Sequence, residues 1–595
     1  MFEEFENQKF LNENLSFCNE CREIENRMFW ESVSNGLPKR FFDAEKDFSE
    51  IPRLTASMYM DFAETGNRVN FERKYFLRRK ALVYFTFCEA IENKGRYLGK
   101  IIDILYEILQ ETAWVLPAHA PISPNSDCLP DANSEIIDLF AAETGAQISF
   151  VYEVLHNRFD AVSKNISPYI IKNLRRRVID CYLERDDFFW LGFGGNRVNN
   201  WNPWINSNIL RTAKAVCGHD EMCRVVLKAM KSLDRYAACY PEDGACDEGP
   251  MYWFKAGICL MECLDMFKEY SGGKIDLFGV PKVKNTLNFY SKIYVGGGRA
   301  VNFADAPSKS VCEYGVLYHA AKSAGDRELI NFCADMKNRF YDSVEIPFAE
   351  PWRIINLAEA NNELHGAPEI EYPEEVYFES TQVFVKRTDN GILLAAKGGN
   401  NDESHNHNDI GNFMVFKDCV PYVIDSGNMK YNRDTFSERR YTIWTNRSEF
   451  HNLPEIGGKN QHDGARYRAE NAVHKPGFFS VDIQNAYEDN EDITLWRRSF
   501  DCSDGICVKE RYEFKKPMPV TLNFLFASKP EVAKDGLLFE GGFKMKIDIS
   551  RFNVRWEEIK LADELLLKSW GESLFRFRLD KLAEDTAGTI EYSFC

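Results

Sequence analysis

The feature that most constrains the fold is a change of hydrophobic period near residue 350. Before it, apolar residues recur at three- and four-residue spacing, as in Ile101-Ile-Asp-Ile-Leu-Tyr-Glu-Ile-Leu109 and the set Met222, Val225, Val226, Met230 and Leu233. That spacing places them on one face of a helix. Further helices are expected over 136–156, 166–183, 251–270, 313–323 and 327–340, with Pro-, Gly- and Asn-rich loops at 115–133, 192–208 and 239–250. After Pro351 the stretch 351–375, with Pro368, Pro373 and several Glu, reads as a linker. From Val376 onward the residues alternate as in strands, and Asp389-Asn-Gly391 is a hairpin signal before Ile392-Leu-Leu-Ala-Ala396. Strands are expected at 411–416, 420–425, 478–484, 505–515, 519–527, 543–549 and 588–594. A chain of 595 residues is too long for one core. A run of helices followed by a run of strands therefore predicts an all-α domain at 1–350, helices paired as in an (α/α) toroid or solenoid, and an antiparallel β-sandwich at 376–595.

Charge excludes one class of partner. At a net charge of −18 the chain lacks the basic surface that binding nucleic acid requires. An acidic sugar polymer stays open, because a local groove can be positive, and Arg175-Arg-Arg177, Arg197 and Arg439-Arg440 are available to line one. No stretch approaches the roughly 20 apolar residues of a membrane helix. The acidic start Met1-Phe-Glu-Glu-Phe-Glu-Asn carries no secretory signal, so a cytoplasmic protein is expected, or a periplasmic or secreted one if a signal was removed. The 17 cysteines are scattered, as reduced thiols would be, and Cys18-Asn-Glu-Cys21 has no second pair with which to build a zinc site. Oligomeric state is not legible.

Three stretches carry chemistry. In His405-Asn-His-Asn-Asp409 two of the ten histidines stand two apart, and in a strand such residues share a face. A hairpin turning near Lys417-Asp418 would bring Asp425 beside them, and His451 follows. Imidazole and carboxylate are zinc ligands, so His407, Asp425 and His451 are read as the site of one divalent metal, zinc first, with manganese or calcium as alternatives. Asn199-Asn-Trp-Asn-Pro-Trp-Ile-Asn-Ser-Asn208 holds five Asn and two Trp in ten residues. It is either a turn with core indoles or a sugar platform in which Trp201 and Trp204 stack and an amide meets a substrate carboxylate. Tyr240-Pro-Glu-Asp-Gly-Ala-Cys-Asp-Glu-Gly-Pro-Met-Tyr-Trp253 opens a helix, placing Tyr252 in a first turn whose dipole would favour a phenolate. His119, in Leu116-Pro-Ala-His-Ala-Pro121, is a loop histidine of the kind that is more often structural.

Together, His405-Asn-His-Asn-Asp-Ile-Gly-Asn-Phe413, Val423-Ile-Asp-Ser-Gly427, His451-Asn452, the Asn-Asn-Trp loop and Glu-Gly-Pro-Met-Tyr252 resemble the heparinase II/III-like polysaccharide lyases. The resemblance implies an N-terminal incomplete (α/α) toroid and a C-terminal antiparallel β-sandwich. It also implies β-elimination of a uronic-acid polysaccharide such as heparan sulfate, chondroitin, hyaluronan or alginate. Carried across, Tyr252 matches a catalytic tyrosine, Asn200 the amide that neutralises the uronate, His405 a catalytic histidine and Tyr431 a second active-site tyrosine. His407, Asp425 and His451 match structural metal ligands. Asn202, Glu248 and Arg439, with Trp201 and Trp204, are the expected substrate contacts. Many relatives carry a histidine where this chain has Trp201, so proton abstraction falls to Tyr252 or His405.

Two other readings compete with the lyase. A glycoside hydrolase would use two of Asp243, Asp247, Glu248 and Asp305. A non-catalytic protein binding acidic glycans would need no base at Trp201.

Overall fold

A computed structural model describes residues 1–17, 22–120, 127–131, 133–195, 197–309, 311–366, 369–488 and 490–595; the Cys18/Cys21 pair lies outside them. By internal contacts the chain forms a helical unit, Met1–Tyr240, Phe254–Leu287 and Val311–Ile370, and a β unit, Pro241–Trp253, Asn288–Ser310 and Glu371–Cys595. Helices thus precede strands, as the change of period predicts. Two short stretches inside 1–350, however, belong to the β unit. Their packing explains it: Trp253, fully buried, lies against Tyr290 with ring centroids 5.9 Å apart, Asp243 accepts from the backbone and hydroxyl of Ser380, and Arg387 donates to the carbonyl of Tyr294.

In the helical unit the long helices Val69–Glu92 and Leu139–Val162 are buried on most sides, so neither shows a clean amphipathic stripe. The helix Trp201–Val216 packs against Leu139–Val162, His219–Cys239 and Gly257–Tyr270. At Gly145 a side chain would sit 2.9 Å from Val178, so glycine sets that close approach. The expected linker begins instead as a helix, Pro351–Glu363. Pro351 suits a first turn, and the buried Arg353 ties this helix inward through Glu262, Glu313 and the carbonyl of Phe254.

The region 192–208, expected as loop, also holds helix: Trp201–Val216 starts inside it. Pro203 is tolerated there because the first four backbone N–H groups of a helix have no partner within it. Conversely, the helix expected over 251–270 is broken. A single turn, Pro250–Trp253, is followed by an irregular step and then Gly257–Tyr270. Arg353 takes the Phe254 carbonyl at that step.

The β unit contains an eight-stranded and a nine-stranded sheet, with every pairing antiparallel. Alternation along Ile506–Met518 puts Val508, Tyr512 and Phe514 inward. Rings from the two sheets meet in one core: Phe384 lies 5.7 Å from Phe479, and Phe413 5.5 Å from Phe500. The Asp389-Asn-Gly391 hairpin joins Val383–Arg387 to Ile392–Lys397 as expected. The next hairpin, Phe413–Lys417 to Val420–Val423, turns on Asp418 and Cys419, both at positive φ, as a two-residue loop matched to strand twist requires. Every described cysteine is free. Among the described residues no helix is long and apolar enough to cross a membrane.

Candidate functional site

The β unit gathers Tyr252, Asp305, His405, Tyr431 and Arg440 around one carboxylate. Tyr252 arrives on the one-turn helix Pro250–Trp253. Trp253 anchors that turn, and Gly249, at φ +91°, stands where a side chain would strike the Phe303 carbonyl at 2.8 Å. A helix of four residues has little dipole, so the expected support for a phenolate from that source is lost.

His405 and His407 do converge, but not as strand neighbours. The segment 402–412 is irregular, and His405 sits at φ +58°, a conformation that L-residues rarely adopt. What gathers the two imidazoles is Asp305. His405 Nδ1 lies 2.9 Å from its Oδ2, and His407 Nε2 lies 3.0 Å from its Oδ1. Arg440 reaches both oxygens at 3.0 Å and is itself held by donating to the carbonyls of Asn406 and Thr435. Burial would raise the Asp305 carboxyl, but hydrogen bonds from His405 and His407 and the charge of Arg440 outweigh it and hold it well below the usual range. It is a permanent anion.

That anion orders the rest. Tyr431 donates to Asp305 Oδ2 at 3.1 Å, and Tyr252 donates to the Tyr431 oxygen at 2.8 Å. Burial, and then the neighbouring Asp305, push the Tyr431 phenol well above its ordinary value, so it stays neutral and relays hydrogen bonds. The Tyr252 ring stacks on the His405 imidazole with centroids 4.0 Å apart and planes inclined by 24°. With Nδ1–H committed to Asp305, the free lone pair of His405 lies on Nε2. A phenol and an imidazole thus stand side by side, the former as donor and the latter as acceptor.

His407, Asp425 and His451 are each fully buried and offer ligand atoms within 4.8 Å of one another. Among the described residues, His407 Nδ1 and His451 Nε2 have no hydrogen-bond partner. Two such buried nitrogens are costly as they stand and fit a cation. The trio could therefore hold a metal ion. His407 would bind it through Nδ1 while Nε2–H donates to Asp305, the usual way in which a carboxylate orients a metal-bound histidine. Asn412 supports Asp425 at 2.8 Å.

The remaining expected residues fall into two groups. Asn200 precedes the helix Trp201–Val216; it is buried, yet its side chain makes no capping bond and, among the described residues, no other hydrogen bond. Trp201 is half-buried against His119 and Phe189. Asn202, by contrast, is fully buried, and its amide is spent on the carbonyls of Trp190 and Ser232 and the Ser232 hydroxyl, so it is a structural residue and not a substrate contact. Trp204 is also buried, with Phe140 at its edge and Lys255 over its face, which makes it a packing anchor. Glu248 is buried. Of the two adjacent arginines, Arg439 is exposed, whereas Arg440 serves Asp305.

The Arg175–Arg177 run does not line a groove. Arg175 pairs with Glu221, Arg176 with Glu135, and Arg177 lies buried against the carbonyl of Glu111. Nor does Asp305 suit a glycosidase acid, since its proton is held off by His405, His407, Arg440 and Tyr431. The sequence analysis named Asp305 only as a hydrolase carboxylate and Arg440 only as a groove-lining cation, and read neither as part of this cluster. Asp305 lies about 100 residues before His405 and His407, so no local pattern joins it to them.

No protein-family model and no curated protein matches the sequence. Solved structures do. Heparinase III superposes with a TM-score of 0.58 at 11% identity, covering 98% of this chain and 92% of that one. The chain has the fold of heparinase III. A heparan sulfate lyase from Pedobacter heparinus gives 0.56 at 12% identity over 88% and 77%. The chondroitin AC lyase of Streptomyces coelicolor A3, solved with chondroitin sulphate, gives 0.54 at 10% over 96% and 82%. The architecture is accordingly an (α/α) toroid followed by an antiparallel β-sandwich, as the resemblance implied.

Proposed function

We propose that the protein is a polysaccharide lyase that cleaves a uronate-containing glycan by β-elimination. The observation that carries this reading is the Tyr252 phenol stacked on the His405 imidazole, both tied to the buried Asp305 anion. Solved structures of the same fold named as heparan sulfate and chondroitin lyases point to the same chemistry.

In such a reaction a base removes the proton at carbon 5 of the uronate, and its electron pair becomes the carbon 4–carbon 5 double bond. The bond from carbon 4 to the leaving oxygen breaks, and that oxygen takes up a proton. His405 Nε2 is the base in this reading, because Asp305 accepts from Nδ1–H and stabilises the imidazolium that forms. Tyr252 is the acid in this reading, because its hydroxyl, held 2.8 Å from the Tyr431 oxygen, stands as a donor beside the base. The proton at carbon 5 is only weakly acidic, so the carboxylate beside it needs a neutralising partner as charge develops. The unengaged amide of Asn200 is the helical unit's candidate for that part, and the exposed Arg439 is the β unit's candidate cation. A divalent ion, zinc by the nature of its donors, would be held by His407, Asp425 and His451. When bound it supplies positive charge that fixes the orientation of His407.

The substrate is placed among glycosaminoglycans first, with alginate next. Incubation with heparan sulfate, chondroitin sulfate, hyaluronan and alginate is expected to yield the ultraviolet absorbance of an unsaturated uronate from at least one of them. Saturated reducing ends without that absorbance would mean hydrolysis and would overturn the reading.

A further inference from the structure

Phe436, in the irregular stretch between Tyr431 and Arg440, is 59% exposed, more than any other phenylalanine or tryptophan among the described residues. A lone exposed apolar side chain is ordinary on a protein surface. What sets this one apart is where it stands and how firmly it is held. Thr435, the residue before it, is buried; its carbonyl accepts from Arg440 Nη1 at 2.9 Å, and its hydroxyl oxygen accepts from Asn432 N at 2.9 Å. The same guanidinium grips both oxygens of Asp305. The anion that orients His405 therefore also fixes the turn that carries Phe436. Its ring stands across two rings of the site, 5.5 Å from His405 with planes at 83° and 5.1 Å from Tyr431 with planes at 75°. His405 and Tyr431 are themselves nearly parallel, at 18°, and Tyr252 lies over His405 at 24°. Three rings form a stack, and Phe436 is an upright wall beside it with more than half of its surface open to solvent.

We propose that Phe436 is the platform on which a sugar residue beside the reacting bond packs its C–H face. A pyranose carries its hydroxyl and carboxylate groups around its rim and presents an apolar face of axial hydrogens. An aromatic ring takes that face and leaves the rim to polar partners. Because the wall adjoins both His405 and Tyr431, a sugar lying on it is held at the stack that moves the protons. Phe436 binds and takes no part in proton transfer. The proposal rests on the acidic-glycan reading above, but its test is binding, which stands apart from turnover.

Titration calorimetry uses the Tyr252→Phe protein, with turnover blocked, and hexasaccharides of heparan sulfate, chondroitin sulfate, hyaluronan and alginate. Phe436→Ala, Phe436→Leu and Phe436→Tyr are compared in that background, with thermal midpoints confirming that each is folded. Loss of one stacked aromatic face is expected to weaken binding of at least one hexasaccharide about three- to tenfold in Phe436→Ala. Phe436→Leu refills the space against His405 and Tyr431 without an aromatic face, so it is expected to stay as weak as the alanine variant. Phe436→Tyr keeps the face and is expected to bind like the parent. A leucine variant that binds as tightly as the parent overturns the platform, because the ring would then only pack against its neighbours. Unchanged affinity in Phe436→Ala overturns it too, as does failure of the parent to bind any of the four. Should the wild type produce no unsaturated sugar while binding still follows the aromatic face, the platform stands and the lyase reading falls. Unsaturated product from the wild type with leucine equal to the parent means the reverse.

Discussion

At the scale of single residues, the site separates what makes the base from what makes the acid, and the two can be tested apart. If His405 removes the carbon 5 proton and Tyr252 protonates the leaving oxygen, Tyr252→Phe stops cleavage but leaves proton removal intact. In deuterated water that variant is expected to exchange the carbon 5 hydrogen of the substrate without breaking the chain, as seen by proton NMR. His405→Gln is expected to do neither. Exchange lost in Tyr252→Phe but kept in His405→Gln would reverse the assignment. Asp305→Asn addresses the residue behind them. It keeps the shape but removes the anion that holds His405, His407 and Arg440, and leaves the guanidinium buried without its charge partner. Turnover is expected to fall by a factor on the order of 10²–10⁴ with KM little changed, since general acid–base catalysis contributes about that much. An equal rise in KM would instead mark Asp305 as a substrate contact. These residues also show what the sequence could and could not disclose. His407 and Asp425 were legible as neighbours because they flank one hairpin, Phe413–Lys417 to Val420–Val423, whereas His451, which follows the turns at 440–450, was read from its ligand chemistry alone. Asp305 was not, because its role arises only when partners about 100 residues away fold onto it. Arg439 and Arg440 have the same local chemistry, and only the turn that carries them decides which faces inward.

At the scale of elements, the segment 398–412 that carries His405 is clamped by a buried trio. Lys397 Nζ lies 2.7 Å from Asp409 and 3.0 Å from Glu403. Burial lifts the Glu403 carboxyl from 4.5 to about 6; Lys397 opposes this, while Asp409 and Asp247 add to it. A carboxyl raised on folding binds its proton more tightly in the folded chain, so its contribution is complete below pH 4.5 and is lost as pH rises to about 6. Over that window the wild type is expected to lose up to about 2 kcal/mol that Glu403→Gln does not lose. Denaturant unfolding of both proteins at several pH values checks it, and parallel curves would show that Glu403 is not the group concerned. Elements were legible wherever their period was clean, as at Arg327–Phe340 or Ile506–Met518. They were misread at 201–208 because Asn and Pro are turn residues in general, yet fit the first turn of a helix whose amides bond inside the fold. The broken helix at 254–256 was hidden for a related reason: the Arg353 guanidinium that takes the Phe254 carbonyl lies about 100 residues away.

At the scale of the whole molecule, the switch of period near residue 350 was enough to order an α unit before a β unit, because each period is a local property repeated many times. Membership of 241–253 and 288–310 in the β unit was not, because short irregular segments carry no period and are assigned by what they pack against. The same division governs how a bound ion would act on stability. All three ligands lie in the β unit, and a metal that binds the folded chain but not the unfolded one stabilises it by roughly 4 kcal/mol at a free concentration a thousand times its Kd. The purified protein is expected to carry one equivalent of a divalent metal by elemental analysis. Stripping it with a chelator is expected to lower the midpoint of the near-ultraviolet signal from the aromatic β core, and zinc is expected to restore it. His451→Ala should begin at the lower midpoint and respond to neither treatment. The helix signal in the far ultraviolet is expected to shift less, since the helical unit supplies no ligand. A metal response of equal size in His451→Ala would show that the ion binds elsewhere, and two buried imidazole nitrogens without partners would then need another explanation.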